Sequence, residues 1–276
     1  KLLNQGDRQR WRPEQGVLTM EQRPRASDQE SRISALEAEL QQTTNELTLT
    51  GTVQLDRWST ADRSTPPDSF LRSGQAQWNL DSGQLKAKGP VLGQRRDQEG
   101  TVLEQLEGPS LNGNTLKGEI TVQAPVILKI PREKGVLRAQ ATTWLFRDQI
   151  IRSAKPFEAD LERTRITGDG FRADLGATTV DVNGACEIRQ PGEVLEAERC
   201  RWNWDSEDVL AEGKVRLRRD ENDQVTRAMR LEGTIGKEGR ISFTAPGSKV
   251  QSEVRLPSEG KGGTPGSRPQ PNPVSF

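Results

Sequence analysis

Ala76-Gln77-Trp78-Asn79-Leu80-Asp81-Ser82 and Cys200-Arg201-Trp202-Asn203-Trp204-Asp205-Ser206 are two versions of one motif. Each is followed by Ala-x-Gly-x-Val, at Ala87, Gly89 and Val91 and again at Ala211, Gly213 and Val215. The tryptophan-to-glycine spacing is the same in both copies. An outgoing strand carries a small residue and then a bulky one on its dry face. A polar turn reverses it, and a returning strand brings Leu or Val, Ala, Gly and Val to the same face. One such hairpin is marginal alone, so neighbours must stack on it.

Weaker copies lie between and around these. Thr142-Thr143-Trp144-Leu145-Phe146 leads to Lys155-Pro156-Phe157, and Phe171-Arg172-Ala173-Asp174-Leu175 leads to Val182-Asn183-Gly184. Ala38-Glu39-Leu40 leads to Leu49-Thr50-Gly51-Thr52-Val53, with fainter copies at 105–120 and 228–243. Unit starts fall near 38, 76, 105, 142, 171, 200 and 228. A period in the range of about 20–50 residues points to a stacked, quasi-linear architecture.

Outside the motif the alternation is also strand-like. Leu116, Gly118, Ile120, Val122, Ala124, Val126, Leu128 and Ile130 share one parity, as do Val180, Val182, Gly184, Cys186 and Ile188. Period two means strands with one dry face. Asp81-Ser82-Gly83, Asn112-Gly113-Asn114, Pro191-Gly192 and Lys237-Glu238-Gly239 are turn signals. Ile33, Leu36 and Leu40 alone have helical spacing; the repeat makes that segment a strand. The recurrent glycine of the returning strand marks a bend or a close backbone approach. The expected fold is all-β: an elongated, repeat-built stack of hairpins forming two facing antiparallel sheets. Residues 1–32 read as a polar lead-in, 33–256 as a roll of about seven units, and 257–276 as a disordered Pro/Gly-rich tail.

Composition narrows the chemistry. Among 276 residues, Lys plus Arg and Asp plus Glu are 40 each, so no basic face for nucleic acid is implied. No histidine is present, which removes the Ser-His-Asp triad, the Cys-His pair and most catalytic zinc sites. Carboxylates such as Glu196, Glu198, Asp205, Glu207 and Asp208 read as solvated edges and turns rather than a glycosidase pair. Gly168-Asp169-Gly170 is a turn, not a phosphate loop. No enzyme activity, cofactor or metal is expected. Cys186 and Cys200 lack Cys-x-x-Cys spacing and flank the Pro191-Gly192 turn, so either a disulfide or two buried thiols fits. The opening Lys1-Leu2-Leu3-Asn4 reads as a trimmed or processed N-terminus, with a signal peptide or membrane anchor ahead of it.

The pattern Ala-x-x-x-(Trp or Leu)…Leu-x-Ala-x-Gly-x-Val is similar to the OstA-like β-jelly-rolls of lipopolysaccharide transport. Ile33-Ser34-Ala35, Ala38 and Leu40, then Glu46-Leu47, Leu49, Gly51 and Val53, resemble the opening of the LptC type. The resemblance covers roughly 33–245 and implies that the facing sheets form an elongated β-jelly-roll, V-shaped with open ends, in a non-enzymatic role in the periplasm, anchored to the inner membrane by an N-terminal segment absent here. It implies a lipid-tail groove lined by Trp78, Leu80, Trp144, Phe146, Phe171, Trp202 and Trp204. Implied partners are lipopolysaccharide or a lipid A-like glycolipid, the membrane subunits of an ABC exporter, and a bridging jelly-roll paired through edge strands. Trp58 fits either a cap on the roll or a rim residue. The competing readings are a carbohydrate-binding or carbohydrate-active β-sandwich, which needs aromatics on a wet face, and a β-helix, which repeats at shorter intervals.

Overall fold

The structure, a computed structural model, describes residues 3–5, 8–27, 31–58, 64–220, 223–234, 240–247 and 249–253. Apart from one short 3-10 turn at Pro131–Glu133, every regular element is a strand. No helix among the described residues is long and apolar enough to cross a membrane.

The chain climbs as a ladder of rungs, each folded across its middle into two halves. The first three rungs are β1 with β2 (Leu3–Gln5, Arg8–Arg12), β3 with β4 (Val17–Glu21, Arg25–Ser27), and β5 with β6 (Ser31–Ser34, Glu37–Gln41). Four unbroken strands follow: β7 (Glu46–Arg57), β8 (Ser69–Asn79), β9 (Gln84–Arg96) and β10 (Val102–Asn114). The next four rungs are again split. They are β11 with β12 (Glu119–Val122, Val126–Ile130), β13 with β14 (Gly135–Ala139, Thr142–Leu145), β15 with β16 (Ile150–Ser153, Phe157–Leu161) and β17 with β18 (Thr164–Gly168, Gly170–Asp174). Unbroken β19 (Thr179–Gln190), β20 (Glu193–Asn203), β21 (Asp208–Arg219) and β22 (Gln224–Thr234) precede the last rung, β23 with β24 (Ile241–Thr244, Gln251–Glu253).

Each rung pairs antiparallel with the rung before and the rung after it. Two continuous walls result. Wall I runs β2, β3, β6, β7, β8, β9, β10, β11, β14, β15, β18, β19, β20, β21, β22, β23. Wall II runs β1, β4, β5, β7, β8, β9, β10, β12, β13, β16, β17, β19, β20, β21, β22, β24. The unbroken strands serve both walls because they bend at β-bulges. The pairing slips between Thr50 and Val53, between Asn183 and Cys186, and between Glu212 and Val215. The motif glycine lies at these bends. Gly51, Gly184 and Gly213 have φ of 69°, 74° and 77°, and the residue after each is also left-handed. That backbone is cheap only for glycine, which is why the position recurs.

The Trp-Asn motif is equally explicable. Asn79 Oδ1 accepts the Ser82 amide at 2.8 Å and Asn203 Oδ1 that of Ser206 at 3.0 Å, while Asn114 and Asp174 do the same for Lys117 and Ala177. These side-chain caps close the four-residue turns of wall I. Asn45, Gly83, Gly118, Gln149 and Thr178 end those turns in the left-handed region. Their carbonyls accept the amides of Leu80, Thr115, Phe146, Leu175 and Trp204, the first residue of the following turn, at 2.9–3.1 Å. Turn is thus tied to turn along the whole margin.

The core is the single layer of side chains between the walls. It runs unbroken from Met20 to Leu231, with Leu111, Val126, Ile151, Ile188 and Ala211 each at or below 2% exposure. Each fully buried aliphatic side chain contributes about 1.5–3 kcal/mol.

Several readings change or resolve with the structure in hand. Residues 8–27, expected as lead-in, supply rungs: Trp11 pairs with Leu18 and Leu18 with Leu40, although β2 is exposed throughout. Ile33 and Leu40 lie on strands β5 and β6, and the helical spacing reflects the bend at Ala35-Leu36 between them. The segment 257–276 lies outside the described residues. Cys186 and Cys200 are joined, with Cα atoms 6.0 Å apart. They are not cross-strand partners, since Cys200 pairs with Val182 and Cys186 with Ala197. The bulge puts Cys186 in wall II and Cys200 in wall I, so the bond bridges the walls at the crease.

Candidate functional site: a slot with unlike rims

The crease closes one side of the slot, and the hairpin turns define the opposite side, the mouth. Parity assigns every inward residue. Just inside the mouth, wall I carries an uninterrupted apolar row: Trp11, Leu18, Leu40, Leu47, Trp78, Leu85, Gly113, Ile120, Trp144, Ile151, Ala173, Val180, Trp202 and Val209. Outside it, at the lip, stand the half-buried Leu80, Phe146, Leu175 and Trp204, held by the turn-to-turn hydrogen bonds.

Wall II ends differently. Its last inward row reads Arg57, Ser69, Arg95 and Glu104, then the apolar Ile130, Gly135 and Leu161, then Thr164, Gln190, Glu193 and Arg219. These polar groups bond along the lip. Arg95 holds Glu104 through two contacts of 2.5–2.6 Å, Arg219 Nε meets Glu193 at 2.9 Å, and Gln190 donates to Thr164. Glu104 is 5% exposed, and such a carboxylate is tolerated only because it is paired. The mouth therefore has one oily lip and one that is polar on either side of an apolar stretch at Ile130, Gly135 and Leu161.

The two lips meet across the slot. The Arg57 guanidinium lies 5.4 Å from the Phe146 ring centre. Trp144 reaches Gly93 of wall II, where the missing side chain leaves room for the indole. A small gap of about 10 Å³, room for a single water, remains near the N-terminal end, lined by Ile33, Val53, Leu55, Leu71, Trp78 and Leu85 among others.

Each residue expected in the groove faces the interior, at different depths. Trp144 and Trp202 are 6% and 3% exposed. Trp78 is half-buried and donates from Nε1 to Thr115 Oγ1 at 3.2 Å. Leu80, Phe146 and Trp204 form the lip. Phe171 lies at the bottom, 2% exposed, its ring 4.7 Å from that of Phe157. Trp58 belongs to none of these groups. It covers the outside of wall II, 3% exposed, with Arg32 over its ring and Nε1 bonded to the Thr65 carbonyl. The charged lip was hidden in the sequence, because charge on dry parity reads as the end of a strand.

The indole Nε1 atoms of Trp144 and Trp202 are buried without a hydrogen-bond partner. Each such donor costs about 1–3 kcal/mol. The shifted titrating groups lie outside the slot. Hydrogen bonding from Lys129 holds Glu107 below the ordinary carboxylate range, and Lys214 and Lys134 do the same for Glu198 and Glu162. Hydrogen bonding to Asp181 raises Arg201. Glu196 faces Arg216 on the outer surface, and Asp208 accepts from Ser206 and Thr234.

No protein-family model matches the chain, and no curated protein matches it. Among solved structures it is similar to LptH, the LptA-homologous periplasmic component of the lipopolysaccharide transport device of Pseudomonas aeruginosa. Identity is 15%, covering 42% of this chain and 76% of that one, with a TM-score of 0.34.

Proposed function

We propose that the chain is a non-enzymatic, periplasmic component of lipopolysaccharide export. It takes the acyl chains of lipopolysaccharide or a lipid A-like glycolipid between its walls. It works beside the membrane subunits of an ABC exporter at the inner membrane and pairs end to end with other jelly-rolls. The observation that carries this reading is the slot itself: a dry interior along the ladder, with one apolar lip and one lip that carries charge on either side of its apolar middle. An amphiphile has that same division, and each methylene removed from water contributes about 0.8 kcal/mol. The sequence resemblance at Ile33–Val53 and at the Trp-Asn repeats supports the same reading.

Loading requires the walls to part at the mouth, since most of the interior is filled. The small gap beside Trp78 is one place where such parting can begin. The ends supply the pairing surfaces. Among the described residues β2 pairs only with β3, and β23 only with β22, so each wall ends in an open edge. Arg8, Arg10 and Arg12 lie along the β2 edge, which favours an acidic strand as its partner. A glycan platform fits less well. Trp11 is the one exposed aromatic among the described residues, and it stands on an inward position of the end rung.

Photo-crosslinking tests the reading. Probes replacing Trp144 or Trp202 should capture lipopolysaccharide in cells, while probes at the outward Arg201 and Arg216 should not. Capture from Arg201 and Arg216 alone would reject the slot. Reversing the charge at Arg10 and Arg12 of β2, or placing charge at Ser242 and Thr244 of β23, should reduce co-purification of partner jelly-rolls without unfolding the chain; unchanged co-purification would reject edge pairing.

A further inference from the structure

Trp11, Trp78, Trp144 and Trp202 occupy one row of wall I, and the register places them at equal intervals. Trp11 faces Leu18, then Leu40, Leu47 and Trp78. Trp78 is followed by Leu85, Gly113, Ile120 and Trp144. Trp144 is followed by Ile151, Ala173, Val180 and Trp202. A tryptophan stands on every fourth rung, roughly 19 Å apart at ~4.8 Å per strand.

Packing alone does not explain the choice of residue. Row-mates Ile120, Ile151 and Val180 fill the same row without a polar atom. Trp144 and Trp202 each add an N–H group, more than nine-tenths buried, to which nothing among the described residues offers an acceptor. Trp78 shows the satisfied version, its N–H taken by Thr115 Oγ1. Trp144 and Trp202 stand one inward step below the lip residues Phe146 and Trp204, where half-buried positions give way to buried ones. Tryptophan suits such a boundary because its body is apolar and its N–H polar.

We propose that Trp144 and Trp202 are hydrogen-bond stations for the carbonyl oxygens of an acylated amphiphile, an ester or amide at its head–tail junction. This rests on the lipid-slot reading and adds to it a ligand class. The slot selects acyl-linked over alkyl-linked tails, and the two stations stand four rungs apart along it. At each station the indole donates one hydrogen bond to one carbonyl oxygen, while the tail lies deeper against the crease.

The test uses the full chain with ¹⁵N-labelled indoles, titrated with dioctanoyl phosphatidylglycerol and, separately, with its dioctyl ether analogue. The ester lipid should move the Nε1–H resonances of Trp144 and Trp202 downfield, as a new hydrogen bond does, whereas the ether analogue should not. Trp144→Phe and Trp202→Phe should each weaken ester binding about five-fold, the worth of one hydrogen bond, with ether binding unchanged. Equal binding of the two lipids with stationary Trp144 and Trp202 resonances would overturn the stations and leave the slot reading intact. Binding of neither would overturn both. The resonance measurement needs no substitution, so a Phe variant that folds poorly does not blunt it.

Discussion

Opening the Cys186–Cys200 bond, by reductant or by a double Cys→Ser substitution, should lower the melting temperature by about 6–12 °C. The bond closes a loop of separation 14, for which chain entropy gives roughly 3 kcal/mol. In a chain of this length 1 kcal/mol corresponds to about 2–4 °C. Both sulfurs are buried, Cys186 at 1% and Cys200 at 4%. The bond joins wall II to wall I at the crease, whereas the backbone pairing of β19 with β20 only joins strands within each wall. Its loss should therefore loosen the angle between walls more than it loosens either wall. Thermal unfolding with and without reductant, alongside hydrogen exchange at Val182, Ile188 and Leu195, checks this. Unchanged melting would reject the role. The bond itself is checked by mass: denaturing alkylation without reductant should add nothing.

Gly113→Val should destabilise the roll by about 1–3 kcal/mol, the usual range for overpacking a filled core. A Cβ there would lie 2.7 Å from the Glu119 carbonyl oxygen and 3.1 Å from the Ile120 Cα. Those atoms are backbone of the neighbouring rung, so relief requires moving β11 and not just turning a side chain. Gly113 also interrupts the row of large residues between Leu85 and Ile120. Gly176→Ala is the matched control. It lies in an exposed turn where a Cβ would come no nearer than 3.6 Å, to the Asp174 carboxylate. That variant should be neutral or stabilised by about 0.4–1 kcal/mol through the unfolded chain. Denaturant midpoints at constant slope separate the two.

The architecture was legible because two signals agreed. Period-two alternation gave strands, and the Trp-Asn repeat gave hairpins of common register. Each repeated residue has a physical reason to recur. Trp202 packs inward, Asn203 caps the turn, Trp204 forms the lip, and Gly213 lets the strand bend from one wall to the other. What stayed hidden required knowledge of pairing. The first rungs lack the motif, and Arg8, Arg10 and Arg12 mask the inward Trp11. The equal spacing of the four tryptophans was invisible because their separations along the chain differ. The cysteine pairing was left open because a bulge, which no spacing rule counts, moves Cys186 across the crease. Arg95 and Glu104 broke the alternation where wall II turns polar, so one lip of the slot went unread.

Every rung touches its predecessor and its successor, and each odd rung travels from wall II to wall I while each even one returns. Growth or loss of the molecule is therefore permitted only in pairs of rungs, since an odd change would send all later turns to the wrong margin. A gene encoding such a ladder can lengthen by duplicating one hairpin unit, with no rearrangement of what is already there. Excising the block from the turn after Trp78 to the turn after Trp144 should leave a shorter span with its remaining indoles still in step.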